Sequence, residues 1–147
     1  MPAFAFVGRM FGAPGRPAFT AVPSRAEARR LIDAGPADNV AVTDPASPTT
    51  WLRPTVLPHP LDQAHARVLG TVGLLRGWAL AGDSPDVVWA TRTTPMLGFV
   101  DDVIILLTPR GTGTVVEARS ASRVGEGDLG RNRSTLRELA DVLSRWT

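Results

Sequence analysis

The second half of the sequence contains four strand-like runs joined by short connections, and this pattern constrains the fold more than any other feature. The runs occupy residues 78–83, 86–94, 99–108 and 114–123. Proline and glycine turn signals separate them. Because connections of so few residues join only antiparallel neighbours, the sequence predicts an antiparallel meander.

One helix pattern precedes the meander and another follows it. Asp62 can cap the first helix, which ends at Gly77. Its apolar face consists of Ala64, Val68, Val72 and Leu75. The stripe of the last helix consists of Leu129, Asn132, Leu136, Leu139, Leu143 and Trp146. Because a buried polar side chain without a partner costs about 1–3 kcal/mol, we expect Asn132 to tie the start of this helix to a loop or strand end.

These patterns predict one α+β domain with the order β-α-β-β-β-β-α. An antiparallel meander sheet of four to five strands would carry the two helices on one face. The predicted core covers residues 61–147. Residues 1–60 hold most of the thirteen prolines and are predicted to be an N-terminal extension packed on the same domain. The extension would contain one short helix at 24–34, which starts at a Ser24–Glu27 capping box, and one edge strand within 50–57.

The charge composition argues against a nucleic-acid partner. The sequence pI is about 10.8, but the net charge is only +2. All 16 basic residues are arginine, and the chain has no Lys, Tyr or Cys that titrates between neutral pH and arginine deprotonation. The pI therefore exaggerates the basic character of the protein.

Residue usage also limits metal and membrane chemistry. The chain has no cysteine, so disulfides, thiolate sites and cysteine nucleophiles are excluded. Its two histidines are His59 and His65. We predict no metal and no cofactor, because no cluster has metal-ligand spacing. No apolar run reaches about 18 residues and the first residues lack a signal-peptide pattern. The sequence predicts no membrane span and a cytoplasmic location.

Residues 125–130 spell G-x-G-x-x-G, the dinucleotide-binding fingerprint. That fingerprint needs a following parallel strand with an acidic residue about 20 residues later, whereas only the last helix follows it here. We interpret the stretch as a glycine turn whose Asp128 caps the last helix. The alternative is an anion site formed by the helix N-terminus with Arg123, Arg131 and Arg133 nearby.

Two consecutive carboxylates, Asp101 and Asp102, begin the most hydrophobic run. Adjacent strand residues point to opposite faces, so the two do not form a side-by-side acid/base pair. If Thr108 pairs with Thr114, Asp102 lies opposite Ser120 on the face that suits helix packing. A buried Asp102 would then take hydrogen bonds from Ser120, Asn132 or the backbone.

The same register places arginines around Asp101. Arg119 and Arg123 would be its diagonal neighbours. If the preceding hairpin pairs Thr94 with Phe99, Arg92 would lie directly opposite Asp101. The arrangement is either a salt-bridge lattice on a sheet face or a basic site for an acidic ligand with Asp101 as internal counter-charge.

Several of these residues also carry a family resemblance. The motifs are F-x-D-D, R-S-x-S-R-x-G and D-x-G-x-N, formed by Phe99, Asp101, Asp102, Arg119, Ser120, Ser122, Arg123, Gly125, Asp128, Gly130 and Asn132. Over roughly residues 61–146 the chain resembles the uncharacterised bacterial and plant-plastid family called domain of unknown function 1499. An Asn-Cys-Val-Ser-Ser element of that family has its nearest counterpart at residues 38–42, without the cysteine. Many relatives are exported or membrane-anchored. The resemblance indicates which residues belong together and supplies no reaction.

Two functional hypotheses follow. The first is a non-catalytic domain that binds a small acidic ligand or a protein partner. The second is a hydrolase or transferase acting on an acidic substrate through Asp101, Asp102, Arg119 and Arg123. Against the second, Ser120 and Ser122 lack an evident base. The candidate polar cluster consists of Arg92, Asp101, Asp102, Arg119, Ser120, Ser122, Arg123, Asp128 and Asn132.

Overall fold

The computed structural model describes residues 17–123 and 130–147. Within them, the α-helices are α1 (Arg25–Asp33), α2 (Leu61–Leu74) and α3 (Arg131–Leu143). Short 3-10 helices occupy Thr50–Leu52 and Ser144–Trp146. The strands are β1 (Val40–Val42), β2 (Thr55–Leu57), β3 (Trp78–Asp83), β4 (Val87–Thr93), β5 (Val100–Arg110) and β6 (Gly113–Ser122). Among these residues, no helix combines the length and the apolar composition needed to cross a membrane.

The strands of the described residues form one antiparallel sheet with the order β1-β6-β5-β4-β3, and β2 also pairs with β6. The predicted α+β class and the meander of β3 to β6 are confirmed. The sheet has six strands, whereas the sequence predicts four to five. The additional strand is β1, whose three residues are too few to show the alternation that marks a strand. Of the predicted 50–57 strand, only Thr55–Leu57 is extended and paired.

The two longer helices pack on one face of the sheet, as predicted. This helix face carries Val103, Ile105, Leu107, Val116 and Ala118, which contact apolar residues of α2 and α3. Here α2 contributes Ala64, Val68 and Val72, and α3 contributes Leu136, Leu139 and Leu143. Alternation along β5 and β6 brings every second residue to this core.

Helix α1 covers the opposite face, which we call the α1 face. Its Ala28 and Ile32 pack on Val87, Trp89, Ile104 and Leu106. At the start of α1, Ser24 Oγ accepts a hydrogen bond from the Glu27 N–H at 3.2 Å. The sheet is therefore buried on both faces, and this explains why eight successive residues of β5, from Val100 to Leu107, are buried.

The register between β5 and β6 differs by one residue from the prediction. Pro109 pairs with Thr114 and Arg110 with Gly113, so the hairpin has a two-residue turn instead of a five-residue loop. Gly111 has a φ of +60°, which glycine adopts without steric cost. Because side chains alternate between faces, this shift reassigns every β6 partner of the two aspartates.

Candidate functional site

Asp101 lies on the helix face and is fully buried in a hydrogen-bonded network. Its Oδ1 accepts from Arg131 Nη2 at 3.0 Å and Nε at 3.2 Å, and from the Ser122 hydroxyl at 3.2 Å. Its Oδ2 accepts from the Thr135 hydroxyl at 3.2 Å. Arg131 and Thr135 are one turn apart on α3, which places both over the sheet. The carboxylate thus joins β5 to β6 and to the start of α3.

Asn132 extends this network and is also fully buried. Its Oδ1 accepts from the Ser120 hydroxyl at 2.6 Å, and its Nδ2 donates to Asn39 O and to Ser122 Oγ, both at 2.8 Å. The side chain connects the helix start to a strand end and to the loop before β1, as the polar position on its apolar stripe predicts. The partner of Ser120 is Asn132 and not Asp102, because the register differs from the predicted one.

Replacing Asn132 with alanine is expected to lower the free energy of unfolding by at least about 2 kcal/mol, because Ser120 and the Asn39 carbonyl lose their partner in a buried site. Urea denaturation of the variant would measure this change. The exposed neighbour Ser134 is the control, since Ser134→Ala removes a hydroxyl outside the network. A loss below about 0.5 kcal/mol, the range typical of surface substitutions, would contradict the structural role of Asn132.

Asp102 lies on the α1 face and binds a different arginine. Arg123 Nε donates to Oδ2 at 2.8 Å and Nη2 to Oδ1 at 2.9 Å, a bidentate pair. The indole Nε1 of Trp89 also donates to Oδ1, at 2.8 Å. The Asp102 side chain is 2% exposed and that of Arg123 is 12% exposed. The predicted partners Ser120 and Asn132 are wrong for Asp102, because they lie on the other face of the sheet.

The prediction that Arg92, Arg119 and Arg123 surround Asp101 is also wrong. Arg92 lies opposite Asp101 in the register, as predicted. Its guanidinium, however, binds Glu138 of α3, with Nη2 and Oε2 3.0 Å apart. Arg131 takes the expected place beside Asp101. The sequence does not identify this pair, because it depends on how α3 docks on the sheet.

Arg119 lies on the α1 face and is half-buried. Within the described residues, its buried Nε has no hydrogen-bond partner. No ion pair of those residues includes its guanidinium. Burial lowers the pKa of the Arg119 guanidinium, and the negative charge of Asp102 partly opposes this effect. Arg119 therefore differs from Arg123, which directly follows the same strand and binds a carboxylate on the same face.

A cleft of about 770 Å³ lies beside the sheet edge formed by β1. Its lining includes Ile32, Ala37, Asp38, Val42, Asp44, Glu117 and Arg133. Glu117 is held there by Arg29, whose Nη1 and Nη2 donate to the two carboxylate oxygens at 2.8 and 2.6 Å. These hydrogen bonds to Glu117 raise the pKa of the Arg29 guanidinium. The guanidinium of Arg133 lies over the Trp51 ring, 5.4 Å from its centroid.

The aspartates and the cleft are separate features, since neither Asp101 nor Asp102 lines the cleft. In residues 17–123 and 130–147, no three His, Asp or Glu side chains converge as metal ligands. The predicted cap Asp128 and most of the G-x-G-x-x-G stretch lie outside the described residues. The sequence patterns do not identify five residues that bind the polar side chains described above. These residues are Trp89, Arg131, Thr135, Glu138 and Arg29.

Comparison with known proteins gives a family. The sequence model of the family described as protein of unknown function (DUF1499) matches residues 23–143. The match includes α1, β1 and β2. It therefore begins well before residue 61, where the resemblance based on the sequence motifs begins. No curated protein matches the chain.

Proposed function

The chain belongs to the family of proteins of unknown function DUF1499, and because that membership brings no reaction with it, we propose from the geometry that the protein is a non-catalytic binding domain. Its ligand occupies the cleft beside β1. The observation that carries this proposal is the size of the cleft, about 770 Å³, which falls in the range of small-molecule sites. Its lining combines apolar side chains such as Ile32, Val42 and Leu52 with charged ones, which are Arg29, Asp33, Asp38, Asp44, Glu117 and Arg133.

The arrangement of the aspartates supports a binding role over catalysis. A general acid, base or metal ligand needs an oxygen that a substrate or ion can reach. Asp101 is 0% exposed and Asp102 is 2% exposed, and each is held by a guanidinium. Both carboxylates therefore serve packing, and the ligand contacts come from the cleft.

The cleft can be tested by filling it. Ala37 is exposed and lines the cleft, so Ala37→Trp is expected to occupy part of its volume without disturbing the core. Small-molecule fragments found by NMR to bind the wild-type chain should bind this variant at least about tenfold more weakly, a difference of about 1.4 kcal/mol.

Ala34 provides the matched control. It is exposed, lies three residues before Ala37 and does not line the cleft. Ala34→Trp should keep the wild-type affinity for the same fragments. If no fragment perturbs the resonances of cleft residues, or if Ala37→Trp binds as tightly as Ala34→Trp, the cleft is not the binding site.

A further inference from the structure

Arg119 sits at a defined point on the α1 face, next to the cleft. It pairs with Val42 of β1 on one side and with Ile104 of β5 on the other. Glu117 precedes it by two residues and therefore shares its face. Val42 and Glu117 both line the cleft and Arg119 does not, so Arg119 lies behind or beside the wall that β1 and β6 form.

Two carboxylates on the α1 face near Arg119 are already engaged. Glu117 is held at both oxygens by Arg29. Asp102 is held at both oxygens by Arg123. Among the described residues, Arg119 therefore forms no ion pair, and the negative charge of Asp102 compensates its charge only in part.

A half-buried guanidinium with an unpaired N–H lowers the stability of the fold. Its Nε is out of contact with water and has no acceptor within the described residues. Buried donors are nearly always satisfied, so an unsatisfied one requires an explanation, and a bound ion is one such explanation. Burial also lowers the pKa of the Arg119 guanidinium, because removal from water disfavours the charged form.

We infer that Arg119 is an anion-binding residue that receives an oxyanion group, carboxylate or phosphate, of the ligand in the neighbouring cleft. Arg123, which directly follows β6, already makes with Asp102 the bidentate contact that a guanidinium on this face can offer to an oxyanion. The inference rests on the proposed binding function and adds the chemical class of one ligand group. Its test uses simple oxyanions and no fragment, so it can fail while the cleft proposal stands.

The test is the thermal stability of the full chain in inorganic phosphate or acetate, each compared with chloride at equal ionic strength. At a tenfold excess over Kd, binding is expected to raise the melting temperature of the wild type by about 3–6 °C beyond the chloride value. Arg119→Met should abolish this difference for whichever oxyanion binds. Arg110→Met is the matched control, since Arg110 is exposed at the far end of the hairpin and carries the same charge.

A second readout separates ligand binding from a structural role. Without oxyanions, Arg119→Met should melt at or above the wild-type temperature, because it removes a charge that is only partly compensated and keeps the apolar stem. In the wild type, the Nε–Hε resonance of Arg119 should move on titration with phosphate or acetate, while that of Arg110 stays in place. This measurement does not require the variant to fold. Equal shifts for wild type and Arg119→Met, no effect of either anion, or a lower melting temperature of the anion-free variant would overturn the inference.

Discussion

Replacing Asp102 with alanine is expected to lower the free energy of unfolding by about 3–5 kcal/mol, because it leaves the guanidinium of Arg123 without its carboxylate in a nearly water-free site. The same change removes the acceptor of the Trp89 indole N–H. Since small domains are stable by only about 5–15 kcal/mol, this loss is a large share of the total. Chemical denaturation followed by Trp fluorescence would measure it.

A double variant shows whether the loss comes from the uncompensated charge. In Asp102→Leu with Arg123→Met, both charges are gone and apolar volume fills the site, so much of the stability should return. A deficit of about 1–3 kcal/mol should remain, because the Trp89 N–H still lacks an acceptor. The ion-pair argument would be wrong if the double variant were no more stable than Asp102→Ala.

Replacing Asp101 with alanine is expected to cost about 3 kcal/mol, also through an uncompensated arginine. The expected loss is at the low end of that range because the side chain of Arg131 is 21% exposed and can be partly hydrated. Its guanidinium also keeps its position 5.5 Å from the Phe99 ring centroid. The hydroxyls of Ser122 and Thr135 lose an acceptor as well.

Two further variants calibrate the Asp101 result. Asp101→Asn keeps the shape and one acceptor oxygen, so its loss should be smaller than that of Asp101→Ala. Asp141→Asn removes an exposed carboxylate that lies 4.0 Å from Arg137, and it should change the free energy of unfolding by less than about 0.5 kcal/mol. If Asp101→Ala were as mild as Asp141→Asn, Asp101 would not anchor α3 to the sheet.

The two aspartates together explain how the layers of this domain are joined. Asp101 holds the start of α3 on the helix face, and Asp102 holds the C-terminal end of β6 on the α1 face. Consecutive strand residues necessarily point to opposite faces, so one dipeptide can serve both layers. Among the described residues, Arg119 forms no such ion pair, and in our proposal it binds the ligand.

The sequence predicts the fold better than the contacts of the site. Turn residues, hydrophobic periodicity and the Ser24 cap act locally, so the meander, the two packed helices and the role of Asn132 follow from them. The sequence does not predict the strand β1, because three residues are too few to show an alternation of apolar and polar side chains. The sequence does not predict which arginines bind Asp101 and Asp102, because each pair depends on a strand register or a helix docking angle that local patterns do not specify.

The antiparallel α+β meander and the polar joint at the start of its last helix depend on residues close in the chain, so local sequence patterns predict them. Which arginine meets which aspartate depends on strand register and helix docking. A two-residue turn at Gly111 shifts the β6 register by one position and so exchanges the faces of its side chains. The docking of α3 then brings Arg131 to Asp101, and within the described residues the buried Nε of Arg119 has no hydrogen-bond partner.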